Sequence, residues 1–216
     1  TITAMSSDDE YLYVAGPMFG TSRFYYEPDA YREFNQNFVS TSNDCYYMRI
    51  NASTGEFMNG ASLSVEYQSV PTGLVTPFGQ DRLVMSVNND WSWTTHSNHV
   101  LVIELPREGG TDYNWIRSAL DVNVSTATRG DGGLSGNSLG MLSDGSFYLT
   151  VTCFKYFFFE GSDFCENYGG VLLVKYDSNG YIIDILQVEN DFGTVADVGL
   201  SIGVDDFALS AGYSED

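Results

Sequence analysis

The chain has 216 residues, of which 43% are hydrophobic and 15% aromatic, and its 29 acidic side chains give a net charge of −20. This apolar content excludes an intrinsically disordered protein, because disorder combines low hydrophobicity with high charge. The acidic excess disfavours nucleic acids and anionic membrane surfaces as partners, since like charges repel. No apolar run approaches the ~20 residues that a membrane-spanning helix needs.

An acidic turn followed by a strand of alternating apolar residues recurs four times along the chain. Repetition on this scale predicts an architecture built from similar units. In each copy the turn supplies one or two aspartates, and the strand is rich in Val, Leu, Phe and Tyr, which suit pleated strands. The four copies are residues 7–16, 79–87, 142–150 and 204–212.

Each acidic turn is preceded by a short strand of small residues and, after a spacer, followed by a longer strand that ends in a second turn. Small residues in the first strand are the composition that a crowded central axis requires. The longer strands are predicted at 45–51, 99–105 and 170–176. The last of them ends in Asp177-Ser178-Asn179-Gly180, a sequence typical of a tight hairpin turn. Four antiparallel strands per unit follow from this order.

The third unit, residues 138–186, shows the repeat pattern most clearly. It reads Ser143-Asp144-Gly145-Ser146-Phe147 in its first half and Val174-Lys175-Tyr176-Asp177-Ser178-Asn179-Gly180 in its second. This pattern resembles the repeats of the seven-bladed β-propeller family. The first unit departs from it through a long aromatic insertion, and the second has Pro106-Arg107-Glu108-Gly109 in place of the Asp-x-x-Gly turn. The resemblance implies four-stranded blades arranged radially as a scaffold or binding surface.

We therefore predict an all-β, β-propeller-like fold with about three and a half four-stranded antiparallel blades and long aromatic-rich loops. The interval between turn aspartates exceeds the ~40–50 residues of compact blades, so the surplus is expected in loops. Within the first insertion, residues 28–37 are predicted to form a short helical turn. The predicted blades are residues 1–70 with the long insertion, 71–131, 132–190, and 191–216 with the first two strands of a further blade.

The last blade is predicted to lack its third and fourth strands. Two explanations stay open: the chain is part of a larger polypeptide, or another molecule completes the sheet. An unfinished sheet edge must be paired or covered to avoid uncontrolled strand addition. Serial head-to-tail completion would produce a filament.

Sequons and cysteines indicate an extracellular or cell-surface protein. Asn51 and Asn123 each begin an Asn-x-Ser sequon, and Asn51 lies at the entrance to a turn. Cys153 and Cys165 flank one spacer and could bridge its ends in an oxidising compartment. Buried free thiols are the alternative for this pair.

The aromatic residues of the second and third spacers are candidates for contact with ligands or neighbouring molecules. Exposed aromatic rings stack on sugars or bury against a partner, whereas rings folded over a blade edge would only seal the core. Both interpretations stay open. The residues concerned are Trp91, Trp93, Phe157, Phe158 and Phe159, all predicted to lie outside the strands.

Catalytic and metal-binding patterns are weak. His96 and His99 are the only histidines, and no nucleophile motif accompanies them. The acid pairs Asp8-Asp9 and Asp205-Asp206 resemble a glycosidase dyad, yet they occupy the repeated turn, whose geometry already accounts for them. Calcium is the one cofactor for which the sequence offers a place, in the glycine-rich loop around Asp131.

These observations predict a non-enzymatic extracellular or cell-surface glycoprotein that serves as a structural or adhesive interaction module. Its expected partners are copies of itself or neighbouring repeats, with glycans as a further class, and neither nucleic acid nor membrane insertion. A propeller enzyme acting on polysaccharides and a lectin-like glycan-binding domain are the two alternatives.

Overall fold

The protein is built from β-strands throughout the part that the computed structural model describes, which confirms the predicted all-β class. These residues contain no helix that is long and apolar enough to cross a bilayer. The described residues are 1–18, 22–27, 30–34, 44–63, 68–76, 82–91, 97–107, 114–118, 134–153, 157–159, 162–164, 170–188, 194–202 and 208–215.

Sheet 1 has four antiparallel strands that lie side by side in chain order, and a separate two-stranded hairpin is inserted between its second and third strands. Its strands are β1 (Ala4–Ser7), β2 (Tyr11–Pro17), β5 (Cys45–Asn51) and β6 (Phe57–Leu63), and the hairpin consists of β3 (Ser22–Glu27) and β4 (Ala30–Phe34). The helical turn predicted for residues 28–37 is therefore wrong at 30–34. Five of the eleven residues in β3 and β4 are aromatic, and aromatic residues favour strands.

Sheets 2 and 3 repeat this order, and a further antiparallel pair follows them. Sheet 2 consists of β7 (Gln68–Val75), β8 (Leu83–Trp91), β9 (Ser97–Leu105) and β10 (Trp115–Ser118). Sheet 3 consists of β11 (Leu134–Met141), β12 (Phe147–Cys153), β15 (Gly170–Tyr176) and β16 (Ile182–Val188), with a small hairpin of β13 (Phe157–Phe159) and β14 (Ser162–Phe164) inserted. The last pair is β17 (Thr194–Ile202) and β18 (Ala208–Glu215).

Consecutive sheets stack through their first strands. Strand β7 contacts β1, β2 and β5 of sheet 1, β11 contacts β7, β8 and β9 of sheet 2, and β17 contacts β11, β12 and β15 of sheet 3. We call the face of a sheet that is directed toward the following sheet its forward face, and the opposite face its backward face. This arrangement leaves β6, β10 and β16 as the outer strands.

Sheet 2 is buried on both faces because it lies between its neighbours. Leu83, Met85 and Ile103 on its backward face join a core with Tyr13 and Tyr47 of sheet 1. The alternate residues of the same strands, such as Val84 and Val102, join a second core with sheet 3. Burial on both faces explains why β8 begins as a continuous apolar run, since only one buried face would produce alternation.

The outer halves of sheets 1 and 3 share one register. Tyr47 pairs with Ala61 in sheet 1 as Leu173 pairs with Leu186 in sheet 3. In both sheets the fourth strand carries one extra, unpaired residue near its start. These two residues, Met58 in β6 and Ile183 in β16, are exposed. Residues at matching places in the two sheets can therefore be compared directly.

The turns at the ends of these strands are capped by their own side chains. The Asp8 carboxylate accepts hydrogen bonds from the amides of Glu10 and Tyr11, and the Asp144 carboxylate accepts one from Ser146. Asp177 caps the turn between β15 and β16 in the same way, and Gly180 there has a φ of 81°, a left-handed conformation that favours glycine. These acids stabilise turns, as their repeated position predicted.

Candidate interaction surfaces

An arginine from sheet 2 joins the acidic turn of sheet 1. Arg107, directly after β9 and Pro106, forms an ion pair with Asp8 and donates a hydrogen bond from Nε to the Tyr13 hydroxyl at 2.6 Å. The same hydroxyl donates to Asp8 Oδ2 at 3.1 Å. Burial raises the pKa of Asp8, but the hydrogen bonds from Glu10, Tyr11 and Tyr13 and the charge of Arg107 outweigh it and hold the pKa below its usual value.

A second arginine of sheet 2 joins sheet 3 at the same end of the strands. Arg82 pairs with Glu104 at 2.7 Å and donates to the carbonyl oxygens of Gly145 at 2.9 Å and Ser178 at 2.5 Å. Nearer the other end of these strands, the Asn88 side chain accepts a hydrogen bond from the Gly136 amide at 2.7 Å. Arg82 and Arg107 therefore use their guanidinium groups to bind neighbouring sheets together, which is a structural role.

The Arg107–Asp8 pair is expected to stabilise the stack of sheets 1 and 2. Both side chains are largely buried. Replacing either Arg107 or Asp8 by alanine should therefore lower the free energy of unfolding by about 1–3 kcal/mol. In a double-mutant cycle measured by urea denaturation, the two replacements should show a coupling of about 1 kcal/mol or more. The matched control is the cycle of Arg82→Ala with Asp8→Ala, which should be additive because these two side chains bind different sheets. Additivity of Arg107→Ala with Asp8→Ala would contradict the junction.

Acid should weaken the folded chain partly through Asp8. A carboxyl group whose pKa is lowered by folding stabilises the fold above its unfolded pKa, about 3.9, and loses that contribution as the pH falls through the folded value. The difference in stability between the wild type and Asp8→Asn should therefore shrink as the pH drops below about 4. Urea denaturation at a series of pH values measures this difference. A difference in stability between the wild type and Asp8→Asn that stayed constant down to pH 2 would contradict the lowered pKa of Asp8.

The predicted contact aromatics lie in strands wherever they can be described, which corrects the expectation that they lie outside them. Trp91 is the last residue of β8, and Phe157–Phe159 form β13. The reason is pairing: Trp91 pairs with Ser97 at the end of β8, which extends sheet 2 into the spacer, whereas β13 pairs with β14 in a separate two-stranded hairpin. Trp93 lies outside the described residues. Whether these rings contact a ligand stays a prediction.

Asn51 caps the turn in which its sequon lies. Its Oδ1 accepts hydrogen bonds from the amides of Ser53 at 3.0 Å and Thr54 at 2.9 Å, and from the Ser53 hydroxyl at 2.8 Å. The turn itself is exposed from Ala52 to Glu56. The amide nitrogen that would carry a glycan is thus on an accessible turn whose conformation is held by the oxygen of the same side chain. The second predicted acceptor, Asn123, lies outside the described residues.

The remaining predicted site residues are only partly described. Cys153 ends β12, whereas Cys165 and Asp131 lie outside the described residues, so neither the disulfide nor the calcium loop is tested. Cys45 is a free, fully buried thiol, and burial raises its pKa to about 12, which makes it unreactive. Among the described side chains, no three His, Cys, Asp or Glu residues converge in a way that could hold a metal ion.

An apolar strip on the outer half of sheet 3 is the feature that sequence analysis missed. Leu186 is 59% exposed on β16, and its cross-strand partner Leu173 is half-buried. Ile183, also on β16, is 56% exposed. The run from Ile182 to Val188 predicts a strand but not which of its residues a neighbouring sheet covers. No local pattern in the sequence could have found the strip, because the exposure of Leu186 depends on how the neighbouring sheets pack.

Comparison of the chain with known protein families and with curated proteins finds no match. No protein-family profile matches it. No curated protein matches it at a significant level. Its function must therefore be argued from its own residues.

Proposed function

We propose that the protein is a non-enzymatic, extracellular or cell-surface glycoprotein with a β-propeller-like arrangement of blades, acting as a structural or adhesive interaction module. The observation that carries this proposal is the serial stacking of sheets 1, 2 and 3 and the β17–β18 pair. Each sheet has the same strand order, and each rests on the preceding one through its first strand. Repeats that contact only their neighbours form extended scaffolds and present large surfaces for binding.

Close packing of the first strands supports the propeller-like arrangement. Strands β1, β7, β11 and β17 contact one another in succession, which is the order expected around a central axis. Gly73 of β7 lies so close to β11 that an added Cβ would be 2.7 Å from the Leu139 Cβ. Small residues on the inner strands are the composition that such an axis requires.

The use of the polar side chains favours a scaffold over an enzyme. Asp8 and Asp144 cap turns, and Arg82 and Arg107 hold sheets together, so these charged groups are engaged in stabilising the fold. The interaction surfaces would then be the loops and the outer parts of the sheets, where the aromatic insertions and the strip around Leu186 lie. Exposed apolar surface of this kind commonly marks sites of protein contact.

Electron microscopy and a glycan assay together test the proposal. We expect negatively stained samples of the purified chain to contain polymers or fibrils, and a panel of polysaccharides to remain uncleaved. Glycan hydrolysis that disappears on Asp-to-Asn substitution would overturn the proposal in favour of the enzyme. Saturable sugar binding that is lost on Trp91→Ala and Trp93→Ala would instead support the lectin-like alternative.

Intact mass tests the proposed compartment. Expressed in a secretory host, the chain should carry glycan mass that peptide-N-glycosidase removes. Asn51→Gln should abolish the part attached to the turn after β5, while a Ser62→Ala control outside any sequon should leave the mass of glycan unchanged. Secreted protein with no glycan mass at Asn51 would contradict glycosylation at this position.

A further inference from the structure

Two asparagines of the chain are followed by glycine, and the structure places them in different surroundings. Asn59 lies within β6, whereas Asn179 lies in the exposed turn between β15 and β16. An asparagine before glycine is prone to lose its side-chain amide, because glycine has no Cβ to hinder attack by its own backbone nitrogen. The fold therefore decides which of these two positions reacts.

This deamidation requires only water and base. Hydroxide removes the proton from the glycine N–H, and the nitrogen attacks Cγ of the asparagine to form a succinimide ring. The bond from Cγ to the side-chain nitrogen breaks, and this nitrogen leaves as ammonia after taking a proton from water. Water then opens the ring at one of its two carbonyl carbons, which gives either aspartate or isoaspartate. In isoaspartate the main chain runs through the side-chain carbon and is one atom longer.

The turn around Asn179 exposes the reacting amide but holds back the nucleophile. Because the Asn179 side chain is exposed, water can solvate its carbonyl oxygen as negative charge develops there during the attack. Gly180, in contrast, is buried, and its amide donates a hydrogen bond to the Asp177 carbonyl oxygen at 3.1 Å. The Asp177 carboxylate accepts hydrogen bonds from the amides of Asn179 at 2.8 Å and Tyr181 at 2.9 Å. Reaction at Asn179 therefore requires the turn to open.

Opening of this turn is a local event. The hydrogen bonds just described lie within residues 177–181, and Arg82 of sheet 2 adds one to the Ser178 carbonyl oxygen. Exposed segments of this kind open at a much lower free energy than strands whose side chains are packed in a core. The Gly180 nitrogen is thus released without separation of any two strands.

The surroundings of Asn59 oppose the same reaction more strongly. Gly60 pairs with Met48 in the ladder between β5 and β6, and Ala61 and Leu63, which follow Asn59 on its face of β6, are buried in the core with sheet 2. The Asn59 Oδ1 atom is buried and has no hydrogen-bond donor within the described part of the chain. Negative charge that develops on this oxygen would be left without support. Attack at Asn59 therefore needs β6 to separate from β5.

We propose that Asn179 is a site of spontaneous deamidation and that the Asp177 side chain controls its rate by holding the turn closed. The carboxylate slows the reaction in two ways. Its hydrogen bonds to Asn179 and Tyr181 fix the turn, and its negative charge opposes formation of the amide anion at Gly180.

Isoaspartate at position 179 changes the junction between sheets 2 and 3. The added main-chain atom lies between the α-carbon of residue 179 and the Gly180 nitrogen. The hydrogen bonds that Gly180 and Tyr181 donate to Asp177 span this point, so they cannot both keep their geometry. Arg82 of sheet 2 donates to the Ser178 carbonyl oxygen of the same turn. The modification therefore loosens the turn to which sheet 2 is joined.

Peptide mapping by mass spectrometry tests the assignment on the complete 216-residue chain, incubated at mildly alkaline pH. Deamidation at Asn179 should be faster than at Asn59 by about tenfold or more, because a turn opens more readily than a packed strand. The control is the chain unfolded in urea, which should react at both positions at similar rates. Equal rates at the two positions of the folded chain would overturn the assignment. So would a folded chain that stays intact at Asn179 while the unfolded chain reacts completely.

Replacement of the capping side chain tests the control of the rate. Asp177→Ala should speed deamidation at Asn179 by about threefold or more and leave the rate at Asn59 unchanged, because only the turn is loosened. Ser178→Ala, which shortens an exposed side chain of the same turn, should leave both rates within about twofold. An unchanged rate at Asn179 in Asp177→Ala would contradict control by the cap. Faster reaction at both asparagines would show a general loss of stability and would contradict it as well.

Hydrogen exchange tests the effect on the turn. Chain that contains isoaspartate at position 179, separated by chromatography from chain that contains aspartate, should exchange the amides of Gly180 and Tyr181 faster than the fresh protein. The matched control is Asn179→Asp, which has the same added charge on a normal main chain and should exchange like the fresh protein. Unchanged exchange in the isoaspartate form would contradict the loosening of the turn.

Discussion

Phe147→Ala is expected to lower the free energy of unfolding by about 3–5 kcal/mol, the cost of truncating a fully buried aromatic residue in a packed core. Phe147 begins β12 and stacks on Tyr176, with ring centroids 4.8 Å apart and planes 9° from parallel. Both rings belong to the core between sheets 2 and 3. The replacement therefore leaves a cavity at a junction between sheets, and its effect should appear as a lower midpoint in urea and a Tm lower by roughly 10 °C or more.

The neighbouring residue provides the matched control. Tyr148 lies on the opposite face of the same strand, is half-buried, and has the Lys175 ammonium 5.5 Å from its ring centroid. Tyr148→Ala should cost about 1 kcal/mol, because it removes a partly solvated cation–π contact and creates no cavity between sheets. Similar losses for the two variants would contradict the burial of Phe147 between sheets 2 and 3.

Gly73→Ala is expected to destabilise the chain by roughly 1–3 kcal/mol through overpacking. The added Cβ would be 2.7 Å from both the Leu139 Cβ and the Ser86 Oγ, and 3.0 Å from the Leu139 amide nitrogen, all too close for carbon contacts. The two Leu139 atoms are not at the free end of a side chain, so relief of those contacts requires β11 to move away from β7, and the Ser86 hydroxyl must shift as well. Denaturation in urea measures the loss, and a larger replacement such as Gly73→Val should increase it.

Two further variants test the cause of that loss. Gly55 has no atom within 4 Å of an added Cβ but has a φ of 73°, so Gly55→Asn, which tolerates the left-handed conformation, should change stability by less than about 0.5 kcal/mol. In a Leu139→Gly background, Gly73→Ala should cost less than in the wild type, because one of the three close atoms, the Leu139 Cβ, is gone. An equal cost in both backgrounds would place the strain elsewhere.

Most strands could be predicted from the sequence because their signals are local. The alternation in residues 11–16 and the hairpin turn at 177–180 each specify their structure within a few residues, and β2 and the β15–β16 hairpin form there. The short helical turn expected at 28–37 was wrong at 30–34, because these residues form β4 and pair with β3, for example Tyr31 with Tyr25. That pairing depends on a partner strand, which a helical periodicity does not report.

The candidate sites were less predictable than the strands. The acidic turns could be assigned correctly to turn geometry, since Asp8 and Asp144 cap their own backbones within three residues. The aromatic residues Trp91 and Phe157–Phe159 were expected in spacers, yet strand pairing extends to them. The strip around Leu186 could not be predicted, because its exposure depends on which strands of sheet 3 the β17–β18 pair covers.

The amino-acid sequence by itself determined the all-β class, the repeated order of turn and strand, and the small residues of the inner strands, because each depends on short-range pattern and propensity. Only the tertiary structure decided that sheet 2 is buried on both faces, that Arg82 and Arg107 join it to opposite neighbours, and that Leu186 is exposed while Ala61 is covered. These features arise where residues far apart in the chain meet. The free energy of such contacts depends on the apolar surface that the stacking of sheets removes from water.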